Sequence, residues 1–196
     1  MTEILLATHN IHKRDELAAM LADHFQVEIL PEDFPDIEET GKTLQENARI
    51  KAKAVHNAFG KATVADDTGL EVAALGGAPG VYTARYAGPT ATYSDNCKKL
   101  LNALQGVSDR RATFRTIICY MAPDGTEMNF EGKVEGTISL EEKGSAGFGY
   151  DPVFMPDETP GRTFAELTPQ EKNSLSHRGR AITAFVQWCK SSKNGT

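Results

Sequence analysis

Residues 4–13 read ILLATHNIHK: an apolar run, a polar turn, then the first basic residue of a helical pattern. The run Ile4–Ala7 suits a buried strand. Thr8-His9-Asn10 supplies the turn. Leu17, Met20, Leu21 and Phe25 follow at helical spacing, which predicts a helix over about 12–25. Val27–Leu30 reads as a second strand. Thr43-Leu44-Gln45-Glu46 is a capping box, and the helix it opens runs to Phe59 and stops at Gly60. Thr63–Ala65 is a short strand leading straight into Asp66-Asp67-Thr68-Gly69. A further helix over 93–105 turns Leu100, Leu101 and Leu104 inward. Two long β runs, 112–121 and 127–140, flank Pro123-Asp124-Gly125 and predict a hairpin. A second capping box, Thr168-Pro169-Gln170-Glu171, precedes a last helix over about 178–191, with Ile182, Phe185, Val186 and Cys189 on one stripe. The order β-α-β-α-β, then long β, then α, predicts an α/β protein with a mixed sheet. Its 196 residues are expected to form one unit of two lobes around a shared sheet.

Composition narrows the function. The chain has 21 Lys and Arg against 27 Asp and Glu, a formal charge of −6. Proteins that hold polymeric nucleic acid usually present a basic surface, so that class is not expected. A small anionic ligand stays open if its binding groups are gathered locally. Three widely spaced cysteines, Cys97, Cys119 and Cys189, fit a reduced compartment better than a disulfide framework. Cys119 lies in an apolar run and reads as a core thiol. The N-terminal MTEILLAT has no basic segment and no long apolar stretch, so the expected location is cytoplasmic. No run approaches a membrane span.

Taken singly, the polar motifs are ambiguous. A strand–turn–helix junction at Thr8–Lys13 offers free amides and a cation to an anion, but it also reads as a plain capped helix. Asp66-Asp67 suits a magnesium site completed by substrate phosphates, or an ordinary acidic turn. Glu38-Glu39 reads as solvated surface. In the helix opened by Thr43, Arg49 and Lys53 share a face, while Lys51 points elsewhere. Gly147-Phe148-Gly149-Tyr150-Asp151 can stack a base and accept hydrogen bonds, or is a packed turn. Lys172, His177 and Arg178 form a donor cluster near a helix start. The glycine fingerprint of a dinucleotide fold is missing.

The ordered series is more specific than its parts. Thr8-x-Asn10-x-x-Lys13, Glu39-Thr40-Gly41, Glu46-Asn47-Ala48, Ala65-Asp66-Asp67-Thr68-Gly69-Leu70, Gly76-Gly77-Ala78-Pro79-Gly80, Ala84-Arg85-Tyr86, Gly147-Phe148-Gly149-Tyr150-Asp151-Pro152 and Ser176-His177-Arg178-Gly179 occur in sequence. This series closely resembles the inosine triphosphate pyrophosphatase family, from about Ile4 to Phe185. The resemblance implies an elongated mixed sheet flanked by helices, with two lobes around an active-site cleft. It implies hydrolysis of deaminated purine nucleoside triphosphates (ITP, dITP, XTP) to monophosphate and pyrophosphate, with magnesium as cofactor and a homodimer as the assembly.

The same resemblance implies the site. The loop from Thr8 through His9, Asn10, Ile11 and His12 to Lys13 would cradle the triphosphate. Glu39 and Asp67 would hold magnesium, with Asp67 as general base. Lys51 would meet phosphate, and Thr68 the ribose or phosphates. Phe148 would stack on the purine, with Gly149, Tyr150 and Asp151 forming its pocket. Lys172, His177 and Arg178 would face the base. Donors fixed on a 6-keto oxygen would be left unpaired by adenine, at a cost of about 1–3 kcal/mol each. The chain departs from the family at His9 and His12, where glycine is commoner, and at Thr68, where serine is. Rival readings are a pyrophosphatase for modified pyrimidine triphosphates and a nucleotide- or RNA-binding module without catalysis. The acids at 39 and 67 argue against the second.

Overall fold

The computed structural model describes residues 2–193. In chain order they form β1 (Thr2–Leu6), α1 (Ile11–Leu21), β2 (Phe25–Ile29), α2 (Leu44–Phe59), β3 (Thr63–Val72), β4 (Pro79–Gly80), α3 (Tyr93–Ala103), β5 (Arg111–Met121), β6 (Glu127–Ile138), β7 (Phe154–Pro156), α4 (Pro169–Leu175) and α5 (His177–Lys193). One seven-stranded sheet runs in the order β2-β1-β3-β5-β6-β7, with β4 joined to β3. β1 pairs in parallel with β2 and β3, whereas β3–β4 and β6–β7 are antiparallel. The sheet is therefore mixed, as the order of elements predicts. Helix α1 carries the chain between parallel strands β1 and β2, the long crossover that parallel pairing requires.

Two compact units divide the chain. Unit 1 takes residues up to 67, then 116–132, then 178 onward; unit 2 takes 68–115 and 133–177. The divisions fall inside β3, β5 and β6. Each unit has its own apolar core. In unit 1, Ile4 and Leu6 of β1, Leu17 and Leu21 of α1 and Val64 of β3 pack with Ile182, Phe185 and Val186 of α5. In unit 2, Leu100 and Leu104 pack with Phe114, Val134, Tyr150, Phe154 and Phe164. No helix among the described residues is long and apolar enough to cross a membrane.

The capping boxes form as their spacing predicts. Thr43 accepts from the Glu46 amide while Glu46 accepts from the Thr43 amide, and Gly60 closes α2 at φ 65°. Thr168 and Glu171 repeat the arrangement at α4. Two expectations shift. Helix α1 begins at Ile11 and ends at Leu21, and Phe25 instead opens β2 while still reaching the unit 1 core. Strand β3 does not stop at Ala65 but runs ten residues to Val72. Polar Asp66, Asp67 and Thr68 stay in the strand because sheet pairing overrides their low β-propensity; β4 pairs with its far end at Leu70 and Glu71. Strands β4 and β7, of two and three residues, are too short for any alternation to show.

Candidate active site

Unit 1 holds Thr8, Lys13, Glu39, Lys51, Asp66, Asp67 and Arg178. The turn after β1 delivers Thr8, whose hydroxyl accepts the Asn10 amide at 3.2 Å. Asn10 caps α1, its Oδ1 accepting the amides of His12 and Lys13 at 3.1 and 3.2 Å. No described residue other than glycine has a positive φ. Histidine at positions 9 and 12 therefore fits without backbone strain. The His9 ring instead reaches the acidic loop, 3.2 Å from Asp36 Oδ1 and 3.4 Å from the Pro31 carbonyl. Thr8, His9, Ile11, Arg14, Leu30 and Phe34 line part of a pocket of about 550 Å³ within this unit.

Lys13 projects from α1 to Asp66, with Nζ 3.2 Å from Oδ2. The same carboxylate takes Arg178 Nη2 at 3.1 Å and Nε at 3.3 Å. Arg178 Nη1 donates to Glu16 Oε2 at 2.6 Å. Burial alone would raise the Asp66 carboxyl, but Lys13, Arg178 and Lys51 outweigh it and hold it well below the usual carboxylate range. Asp66 is thus a fixed anion between cations. Arg178, expected to face a base, is 1% exposed and engaged by these two carboxylates. Glu16 was not legible as part of the site. Its one signal is its place three residues after Lys13, on the same face of α1.

Asp67 points the other way along the pleat. Burial raises its carboxyl, the lysines only partly oppose this, and Glu39 and Asp66 add to the rise. Lys51 lies beside it. Its Nζ is 2.6 Å from Glu39 Oε1 and 3.6 Å from Asp67 Oδ1. Burial opposes the Lys51 charge, but Asp67, Asp66 and Glu39 overcome it and raise the ammonium above its ordinary value. On the same helix Arg49 and Lys53 are exposed, so α2 separates one buried lysine from two solvated cations. Asp67 Oδ2 is buried with no hydrogen-bond partner among the described residues. Two carboxylates on one ammonium, one with a lone oxygen, form a hard-oxygen donor set. Such a set fits magnesium when substrate oxygens complete the shell.

Unit 2 holds Phe148, Gly149, Tyr150, Asp151, Lys172 and His177. Asp151 Oδ2 accepts the Phe148 amide at 2.8 Å and the Lys172 ammonium at 2.6 Å. A Cβ on Gly147 would collide with that carboxylate, and its φ is 74°, so the turn needs glycine there. Lys172 Nζ also lies 4.9 Å from the centroid of the half-buried Phe148 ring, and Tyr93 packs against that ring at 5.8 Å. Lys172, expected to face a base, is thus tied to Asp151. Tyr150 is a core residue. Its hydroxyl donates to the Thr83 carbonyl at 2.9 Å, and burial raises the phenol. Gly149 offers its carbonyl to the Cys97 thiol at 3.3 Å. His177 stands edge-on to Phe114 at 4.5 Å and is 3% exposed. Thr68, the first residue of this unit, is half-buried in β3. Burial pushes the Cys119 thiol up to about 12, in keeping with a packed core thiol.

A mixed α/β fold that gathers buried lysines and carboxylates at a capped helix start and one strand has the groups that suit a phosphorylated substrate. The Ham1 family pattern matches residues 4–188, and the chain belongs to that family. A dITP/XTP pyrophosphatase of Staphylococcus epidermidis is 46% identical over 190 residues, covering 96% of each chain. One from Porphyromonas gingivalis is 47% identical over 187 residues, covering 93% of this chain and 94% of its own. The structure of the Staphylococcus aureus Ham1 protein superposes with a TM-score of 0.85 at 40% identity, over 97% of this chain and all of that one. A HAM1 protein from Coxiella burnetii gives the same TM-score at 42% identity, covering 97% of this chain and 100% of its own.

Proposed function

We propose that this chain is a nucleoside-triphosphate pyrophosphatase. It hydrolyses dITP, XTP and ITP to the monophosphate and pyrophosphate and so removes deaminated purines from the nucleotide pool. The observation that carries the reading is the strand pair Asp66-Asp67. One carboxylate is locked between Lys13 and Arg178; the other, raised by burial, lies beside Lys51 and Glu39.

In this reading Thr8, Asn10 and Lys13 bind triphosphate oxygens, and Lys51 offsets charge on the leaving pyrophosphate. Asp67 takes the proton of the attacking water, and its raised carboxyl makes it a better acceptor near neutral pH. Glu39 and Asp67 would hold magnesium, which when bound supplies Lewis-acid polarisation of phosphate oxygens. Phe148 stacks on the purine, and Asp151 with Lys172 holds that ring in place. Arg178 keeps Asp66 ionised and is a route to the base only if Glu16 or Asp66 releases it. A homodimer and a cytoplasmic location go with the reading.

The test is pyrophosphate release from ITP, dITP, XTP, ATP, GTP and pyrimidine triphosphates, with and without EDTA. Turnover confined to ITP, dITP and XTP and abolished by EDTA is expected. Equal rates on ATP and ITP overturn the specificity; full activity in EDTA overturns the metal.

A further inference from the structure

The chain between β2 and α2 has no regular structure, yet it must present Glu39 at a fixed place. What holds it is the first turn of α2. The Gly41 amide donates to Asn47 Oδ1 at 2.8 Å. The amides of Lys42 and Thr43 donate to Glu46 Oε2 at 2.6 and 3.2 Å. Three successive backbone donors are thus taken by two successive side chains. Glu46 is exposed and is accounted for as the partner in the capping box. Asn47 is different, because it is 0% exposed.

A buried amide is costly unless it is used; Asn47 uses its Oδ1, while its Nδ2 is buried without a hydrogen-bond partner among the described residues. Here the N–H of Gly41 fixes the orientation of the Asn47 amide, since only its oxygen can accept. The contact is close. A Cβ on residue 41 would lie 2.6 Å from Asn47 Oδ1 and 2.7 Å from Glu46 Cβ, so only glycine lets the backbone approach this far. Four residues further along α2, on the same face, Lys51 takes the Glu39 carboxylate at 2.6 Å. The short segment Glu39-Thr40-Gly41 is therefore gripped at both ends from one helix face, by Lys51 at the carboxylate and by Asn47 at the backbone.

We infer that Asn47 is a positioning residue for the Glu39 carboxylate: by holding the Gly41 amide it sets where that carboxylate meets a divalent cation. The inference rests on the proposed metal role of Glu39 and extends it to a residue that touches neither metal nor substrate. Removing a group that orients a ligand typically weakens metal binding by about 10- to 100-fold. The loss should fall on metal affinity and leave nucleotide affinity in the absence of metal unchanged.

The test titrates Mn²⁺, followed by its electron paramagnetic resonance signal, into the full chain with saturating α,β-methylene ITP. This analogue cannot be cleaved between the α- and β-phosphorus. Metal-free binding of the analogue and thermal melting are measured alongside. Asn47→Ala is expected to weaken Mn²⁺ binding about tenfold. Gly41→Ala, which attacks the same contact from the other side, should match it and carries the test if Asn47→Ala melts below the assay temperature. The double variant Glu39→Gln/Asn47→Ala should bind no more weakly than Glu39→Gln alone, because both act through one carboxylate. Wild-type Mn²⁺ affinity in Asn47→Ala and Gly41→Ala, with the loss confined to Glu39→Gln, overturns the inference and leaves the proposed function standing. Wild-type affinity in Glu39→Gln overturns the metal role of Glu39, and the inference with it.

Discussion

Units 1 and 2 use polar groups in opposite ways. In unit 1, Lys13, Lys51 and Arg178 are each paired with carboxylates from other segments: β3, the acidic loop and α1. Removing Asp66 from that network would leave the buried Lys13 and Arg178 without their shared anion. In unit 2, the buried ion pair of Lys172 with Asp151 supports an aromatic ring and a backbone turn. In unit 1 the charges form a buried network, to which the proposed function gives the chemistry and the metal; in unit 2 the pair supports the Phe148 ring and its turn. A triphosphate and a purine ask for these two chemistries.

Asp67→Asn should break the reactive side of this contrast most severely. Turnover of ITP should fall about 100- to 10,000-fold, the usual contribution of a positioned base. The fold should melt no lower, since the buried carboxylate it replaces is raised by burial and costs stability when ionised. Wild-type pyrophosphate release in this variant removes Asp67 from the chemistry.

Asp66→Asn should give the next largest effect, on stability. It leaves Lys13 and Arg178 without their shared anion, and breaking such a buried pair costs about 3–5 kcal/mol. The pH dependence has a definite sign. Asp66 is held below its unfolded value, so its stabilisation is complete above about pH 4 and is lost as pH falls toward the lower folded value. The melting-temperature gap between wild type and Asp66→Asn should therefore shrink on acidification. A gap that widens below pH 4 contradicts the assignment.

Phe148→Ala should sharpen the other side. Loss of base stacking is worth about 1–3 kcal/mol, and it should appear as a raised KM for ITP with kcat nearly unchanged. A fall in kcat alone would place Phe148 with the reacting groups. The smallest effect is expected from Arg49→Ala on the outer face of α2. Its pair with Glu127 is more than half exposed on the arginine side, and such pairs contribute about 0–1 kcal/mol. Stability should move slightly and ITP kinetics not at all; a kinetic defect would erase the distinction between Lys51 and its exposed neighbours.

Much of the architecture could be read directly. The capping boxes at Thr43 and Thr168 and the stop at Gly60 are local, because each depends on side chains within a turn of the helix end. The site was legible as a set of motifs but not as a network. Nothing local to Arg178 shows that its partners lie at 16 and 66, because buried ion pairing depends on helices and a strand brought together over more than a hundred residues. Strand β3 was cut short for a related reason. An acidic stretch reads as a turn until its ladder partners are known. The buried face of α2 was readable only in part, since helical spacing separated Lys51 from Arg49 and Lys53 without saying which side faces the interior.

That ten-residue strand changes what substrate arrival has to accomplish. Had Asp66 and Asp67 sat on a turn, as their composition suggests, the proposed base, Asp67, would need ordering at each turnover. Carried instead inside a ladder with neighbours at both ends, its position is settled when the chain folds, and the conformational entropy of placing it is lost once.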